Sequence, residues 1–131
     1  MNESKFKHEV RKIWLPNYWS ENIEDKKELG WPDTLFLSPR KYVTLVEFKW
    51  LPSSNKDGSF IIPWKKTQPL FLLEYTKAGG NCGGLIRVVD KDYWISAEPT
   101  GKWLRTIRST VSPKCEYIHE VSKEGIRQYI L

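Results

Sequence analysis

Cysteine and histidine are both scarce in this 131-residue sequence. Cys82 and Cys115 stand far apart, with no C-x-x-C pair and no histidine at zinc-ligand spacing, so a disulfide framework or a zinc module is not expected. His8 and His119 are isolated, and neither is grouped with a serine or cysteine nucleophile, which leaves a histidine-based hydrolytic triad without its parts. No apolar run approaches the roughly 18 residues of a membrane-spanning helix, and no membrane association is expected. The opening Met-Asn-Glu-Ser-Lys-Phe-Lys-His-Glu has no apolar segment behind it and does not read as a secretory signal, so a cytoplasmic location is expected. The glycine-rich Gly79-Gly80-Asn81-Cys82-Gly83-Gly84 lacks the lysine of a phosphate-binding loop and follows a predicted helix instead of a strand. It reads as a helix terminator and a flexible turn. Internal repeats, heptad arrays and low-complexity tracts are also missing.

What is present describes a folded domain with an uneven charge. The length suits one domain of roughly 100–200 residues, and 28% charged with 40% hydrophobic residues is ordinary for a packed protein. Lysine and arginine outnumber aspartate and glutamate by 21 to 16, a net charge of +5 that suits an anionic partner or plain solubility. Five of the 16 carboxylates lie between Ser20 and Asp33, so the basic residues elsewhere are denser than the net value suggests. The seven tryptophans are most simply core. Only Trp31 and Trp64 lie close enough to the motif described below to stack on unpaired bases.

Periodicity outlines an α/β domain with a mixed sheet. Phe6, Val10, Ile13 and Trp14 recur at helical steps, predicting a first helix over residues 4–15 with Ser4 as N-cap and Pro16 as stop. Residues 20–30 are compatible with a loop or a short helix. Thr-Leu-Phe-Leu at 34–37 and the β-branched, aromatic run at 42–49 predict a hairpin, its second strand apolar on both faces as a central strand would be. A breaker-rich loop over 51–59 precedes a predicted helix at 68–77, with Pro69 in its first turn. Strands are predicted at 84–89 and 93–96, a short helix around Trp103, Leu104 and Ile107, and a terminal helix over 122–131.

Two charges interrupt the apolar central strand. Glu47 and Lys49 are two residues apart, so on a strand they project from the same face, and burying them without partners would be costly. In a hairpin, Asp33 lies across from them. Two carboxylates, with a backbone carbonyl such as that of Phe48, make an oxygen-rich site for a hard divalent cation. Magnesium there would polarise a phosphate and lower the pKa of a bound water. Lys49 would then orient that water or offset charge as the bond breaks. The competing reading is a structural ion cluster, or a chance E-x-K in an unrelated interaction domain. In that last case Asp33 and Glu47 should be far apart.

The order Gly30-Trp31-Pro32-Asp33, strand, turn, Val46-Glu47-Phe48-Lys49, loop, then Gln68 opening a helix resembles the PD-(D/E)xK nuclease superfamily. Within it, the pattern is similar to the stand-alone VRR-NUC and phage Holliday-junction-resolvase-like nucleases. The likeness covers about residues 30–89 of a single nuclease-like domain spanning 1–131. It implies a restriction-endonuclease-like core, a small mixed sheet flanked by helices. It also implies that Asp33 and Glu47 ligate magnesium (manganese substituting) with the Phe48 carbonyl, that Lys49 is catalytic, and that Gln68 positions water or phosphate. Such nucleases commonly carry a further acid on the first helix; Glu9 is the first candidate and Glu3 the second. The implied partner is DNA, branched or junction-like, cut by a homodimer whose two-fold symmetry matches the substrate. A phage origin and action in the host cytoplasm follow the same resemblance. Lys65 and Lys66, and Arg40 and Lys41 on the hairpin turn, are candidate DNA contacts; Lys102, Arg105 and Arg108 extend the basic surface. The alternative function is a non-catalytic nucleic-acid-binding or replication-accessory module on the same scaffold.

Overall fold

The computed structural model describes residues 1–23 and 29–131. Of the undecided stretch at 20–30, residues 24–28, with most of its carboxylates, lie outside the described residues, and 20–22 belong to strand β1, Trp19–Asn22. Helix α1, Glu3–Glu9, is followed by β1 (Trp19–Asn22), β2 (Thr34–Leu37), β3 (Val43–Leu51), α2 (Gln68–Lys77), β4 (Asn81–Val88), β5 (Lys91–Ser96), α3 (Lys102–Ile107) and β6 (Ile118–Val121). The six strands lie in chain order in one sheet. Every neighbouring pair is antiparallel except β3 and β4, which run parallel because α2 carries the chain back between them.

Both faces of the sheet are covered, as the doubly apolar β3 predicts. On one face, Phe6, Val10, Trp14 and Leu15 pack against Phe36, Val46, Phe48, Leu85 and Trp94. On the other, Leu72 of α2 and Trp103 and Ile107 of α3 pack over Leu45, Ile86, Val88 and Ile95. Phe6 meets Phe48 edge-on at 5.6 Å between ring centroids. Full burial of such a ring contributes about 1.5–3 kcal/mol.

The first helix departs from its predicted register. Asn2, not Ser4, is the N-cap, its side chain accepting from the Lys5 N–H at 2.8 Å. Beyond Glu9 the helix widens into a π turn, Val10–Trp14. One residue more per turn carries Ile13 outward to 55% exposure, and Trp14 takes the inward place. The same turn brings the Trp14 indole N–H to Glu9, five residues earlier, at 2.9 Å.

The glycine-rich stretch is also not a turn alone. Gly83 and Gly84 lie inside β4, and a Cβ on Gly83 would stand 2.3 Å from the Trp94 ring. On Gly84 it would stand 3.0 Å from Trp64. These glycines make room for two indoles. Strands β1 and β6 escape the sequence reading, and the predicted terminal helix is a single 3-10 turn, Gly125–Gln128.

Candidate active site

The β2–β3 register explains how the acidic groups meet. Thr34 pairs with Val46, so one step further Asp33 comes opposite Glu47, and opposed residues of an antiparallel pair project to the same face. Glu47 and Lys49 share the face covered by α2, while Val46 and Phe48 between and beside them join the α1 side. Along β3, the N–H and carbonyl of Phe48 both turn toward the β2 edge, past the point where β2 pairing ends. The Phe48 N–H donates to Asp33 Oδ2 at 2.9 Å, fixing that carboxylate in place. Its carbonyl is turned to the same edge.

Gly30, at the head of the G-x-P-D motif, holds this loop against α2. Its φ is +89°, and a Cβ there would stand 2.5 Å from the Thr67 carbonyl oxygen, just before Gln68. Gly30→Ala is therefore expected to lower the melting temperature and to separate Asp33 from the Gln68 end of the site. Thermal unfolding checks this: an unchanged midpoint would contradict the close approach.

Gln68 is buried at the start of α2. Its Nε2 donates to Glu47 Oε1 at 3.0 Å, and its Oε1 accepts from the Lys65 N–H at 2.9 Å. Lys49 Nζ lies 3.6 Å from the same Glu47 oxygen, and Lys7 Nζ lies 3.7 Å from Asp33 Oδ1. Glu3, Asp33 and Glu47 each offer a carboxylate oxygen, all within 4.8 Å of one another. That separation excludes the chance E-x-K with a distant Asp33. Three carboxylates thus face two ammonium groups, and among the described residues no N–H donor reaches the buried Glu47 Oε2.

The first-helix acid is Glu3 and not Glu9. Glu3 and Lys7 are four residues apart on one helical face, the face turned to Asp33. Glu9 lies roughly 200° around the helix from Lys7. It is held by Arg87, whose Nη1 and Nη2 reach its two oxygens at 3.1 and 2.9 Å, and by the Trp14 indole. This pairing keeps the Glu9 carboxyl below the ordinary range. Its partner is far away in sequence, which is why the sequence could not rank the two acids correctly.

The basic candidates separate into two groups. Lys65 and Lys66 are exposed at the start of α2, next to Gln68, and share a cavity with Arg108. Arg40 and Lys41 are exposed on the β2–β3 turn, at the other end of the hairpin from Asp33. Five extended residues separate them from the acidic cluster, on the order of 15 Å. Lys7, which the sequence reading passed over, is the basic residue that the fold adds to the site. Its four-residue spacing from Glu3 was the available signal.

Charge and burial together prepare the site for a cation. Burial first, then the Asp33 carboxylate beside it, push Glu47 up to about 9, with Lys49 pulling in the opposite direction. Without a cation, Glu47 keeps a proton at neutral pH and shares it with Asp33. A cluster of hard carboxylate oxygens that holds a proton is suited to exchange it for a divalent cation. The sign of the resulting pH effect follows from linkage. Unfolded, the group loses its proton near 4.5; folded, near 9, so the stabilisation is full below 4.5 and declines as pH rises toward 9. In EDTA the melting temperature is expected to fall between pH 5.5 and 8.5, and the increment from added magnesium to grow over the same span. Equal increments at both ends would contradict this coupling.

No model of a known protein family matches the sequence, and no curated protein matches it. The structure is similar to that of Hjc, a Holliday junction resolvase from the archaeal hyperthermophile Archaeoglobus fulgidus, with a TM-score of 0.50 and 10% sequence identity, over 75% of this chain and 73% of that chain. At such identity the likeness speaks for the fold. The mixed sheet flanked by helices is the restriction-endonuclease-like fold of that resolvase, and it carries the cluster of Glu3, Asp33 and Glu47 where α1 and the start of β2 meet β3.

Proposed function

We propose that this chain is a magnesium-dependent DNA endonuclease selective for branched DNA, with four-way junctions the leading substrate and a homodimer the working form. In this reading residues 1–131 act as one domain in the cytoplasm. The observation that carries it is the convergence of Glu3, Asp33, Glu47, Lys49 and Gln68 at one point of a resolvase-type fold.

Glu3, Asp33 and Glu47, with the Phe48 carbonyl, are the groups that would hold the cation; manganese would serve in place of magnesium. When bound, it supplies Lewis acidity toward the phosphate and a lowered pKa for water. The chain's own residues do the rest. Gln68 fixes Glu47 Oε1, and the Phe48 N–H fixes Asp33, so neither carboxylate must reorganise as charge develops. Lys49 is 8% exposed, its ammonium beside Glu47, where it offsets negative charge on the phosphoryl group or orients the attacking water. Lys65 and Lys66 contact backbone phosphates and make binding salt-dependent.

A panel of labelled junction, flap, single-stranded and duplex DNA tests the reading. Magnesium or manganese is expected to support cutting of branched substrates first. Cutting in excess EDTA, or of none of the substrates with either cation, would overturn it.

A further inference from the structure

A second feature lies next to the acidic cluster. A cavity of about 300 Å³ opens beside the start of α2, with an apolar wall of Ile62, Pro69 and Leu70 and a basic rim of Lys65, Lys66 and Arg108. Trp64 completes its lining. Among the described residues no carboxylate lines it. The rim is unfavourable to the helix: α2 has no acid in its first turn, and Lys65 and Lys66 stand at its positive end. Leu70 is 44% exposed at the edge. Cations that oppose a dipole, beside apolar side chains left in water, fit a ligand that is anionic at one end and flat and apolar at the other.

Two links tie this cavity to the candidate active site. Lys65 gives its N–H to Gln68, and Gln68 gives its amide to Glu47, so a basic residue of the rim is one side chain away from the carboxylates. Trp64 spans the gap on the other side. It packs where Gly84 lacks a side chain, directly across from Glu47 in the β3–β4 register, and Lys49 Nζ lies 5.9 Å from its ring centroid.

We propose that this cavity is a subsite for one unstacked nucleotide of a DNA strand. The base lies against Trp64, Leu70 and the apolar wall, and the flanking phosphate on Lys65, Lys66 and Arg108. Its volume suits a single nucleotide and lies at the small end of the range for ligand pockets. Base stacking on an indole tolerates any sequence, because every base has a π-face. A nucleotide already unpaired enters without the cost of breaking a base pair, whereas an intact duplex must pay it. Selectivity for DNA shape then arises without reading a base edge. That this nucleotide neighbours the bond to be cut rests on the nuclease reading; that it binds does not.

Binding in EDTA separates the two. Fluorescence anisotropy would compare a perfect duplex, the same duplex with one bulged nucleotide, and the same bulge made abasic. The bulged duplex is expected to bind about 10-fold tighter than the perfect one, with most of that gain lost when the base is removed. Arg108→Ala and Lys66→Ala should weaken bulged DNA several-fold while keeping the difference between base and abasic bulge. Leu70→Ser, at an exposed position that the fold tolerates, should shrink that difference, and Trp64→Ala should abolish it. Equal binding of all three DNAs, or a preference untouched by both Leu70→Ser and Trp64→Ala, would overturn the subsite. Thymidine monophosphate displacing the bulged DNA at equal concentration would also overturn its assignment to a DNA strand. A base-dependent preference in a protein that cuts nothing with magnesium or manganese would keep the subsite and discard the nuclease.

Discussion

Glu47→Gln is expected to lower cleavage of branched DNA by about 10³-fold while leaving DNA binding within a few-fold of the parent. The exchange is nearly isosteric. The bond from Gln68 Nε2 to the Oε1 position survives, so α2 stays in place. What changes is the second oxygen, Oε2, which no N–H donor reaches among the described residues and which glutamine can replace with an amide NH2, a donor where a cation needs an electron pair. Lys49→Ala is expected to cost about 10²–10³-fold for a different reason: it removes the ammonium 3.6 Å from Glu47 and leaves the carboxylates less compensated. Glu3 and Glu9 provide the internal comparison. Glu3→Gln should weaken magnesium affinity, measured by calorimetry, far more than Glu9→Gln, because Glu3 belongs to the cluster whereas Gln at position 9 keeps an amide oxygen for Arg87 and acts only through the seating of α1. Cleavage by Glu47→Gln within 10-fold of the parent would sink the assignment.

The parts of the site legible in the sequence were those fixed by short-range geometry. Glu47 and Lys49 share a strand face because strand side chains alternate, and Asp33 meets them because a tight hairpin sets the register. Pro69 marks the helix start at Gln68, and the resemblance to the nuclease superfamily implied that this glutamine lies near the site. The parts that stayed hidden depend on contacts between distant segments. Ser4 was the expected cap, but the cap is Asn2, whose side chain accepts the Lys5 N–H. Ile13 looked inward beside Trp14 at 3.6 residues per turn, but a π turn carries it outward and leaves Trp14 inside. Glu9 looked free because Arg87 lies on β4, across the sheet. Gly83 looked like part of a turn and Gly84 like the first residue of a strand, since nothing local announces that two indoles need the space inside one. Strands β1 and β6 are edge strands, partly exposed and rich in polar residues, which weakens the alternation that identifies a strand.

Arg87→Ala is expected to destabilise the fold by about 3–5 kcal/mol, the cost of leaving partly buried charges without their partner. The arginine holds two carboxylates at once. Its Nε and Nη2 reach Asp92 at 2.7 and 3.0 Å, Nη1 and Nη2 reach Glu9 at 3.1 and 2.9 Å, and the guanidinium lies 4.4 Å from the Phe6 ring centroid. Those pairings push the Arg87 pKa upward, so the charge is present at any accessible pH. Removing it leaves Glu9 and Asp92 facing each other. Arg87→Lys should recover only part of the loss, since a single ammonium cannot serve two forks. The consequence reaches the acidic cluster through α1. Arg87 fastens Glu9 and Phe6 to the sheet, and the same short helix presents Glu3 and Lys7 to Asp33. Arg87→Ala should therefore weaken magnesium binding as well, at a temperature where the variant is still folded by circular dichroism. Replacing all three charged groups together, with Glu9→Gln, Asp92→Asn and Arg87→Met, should recover most of the stability, because no charge is then buried alone. A single variant that melts within a few degrees of the parent would show that α1 is held by its apolar face alone.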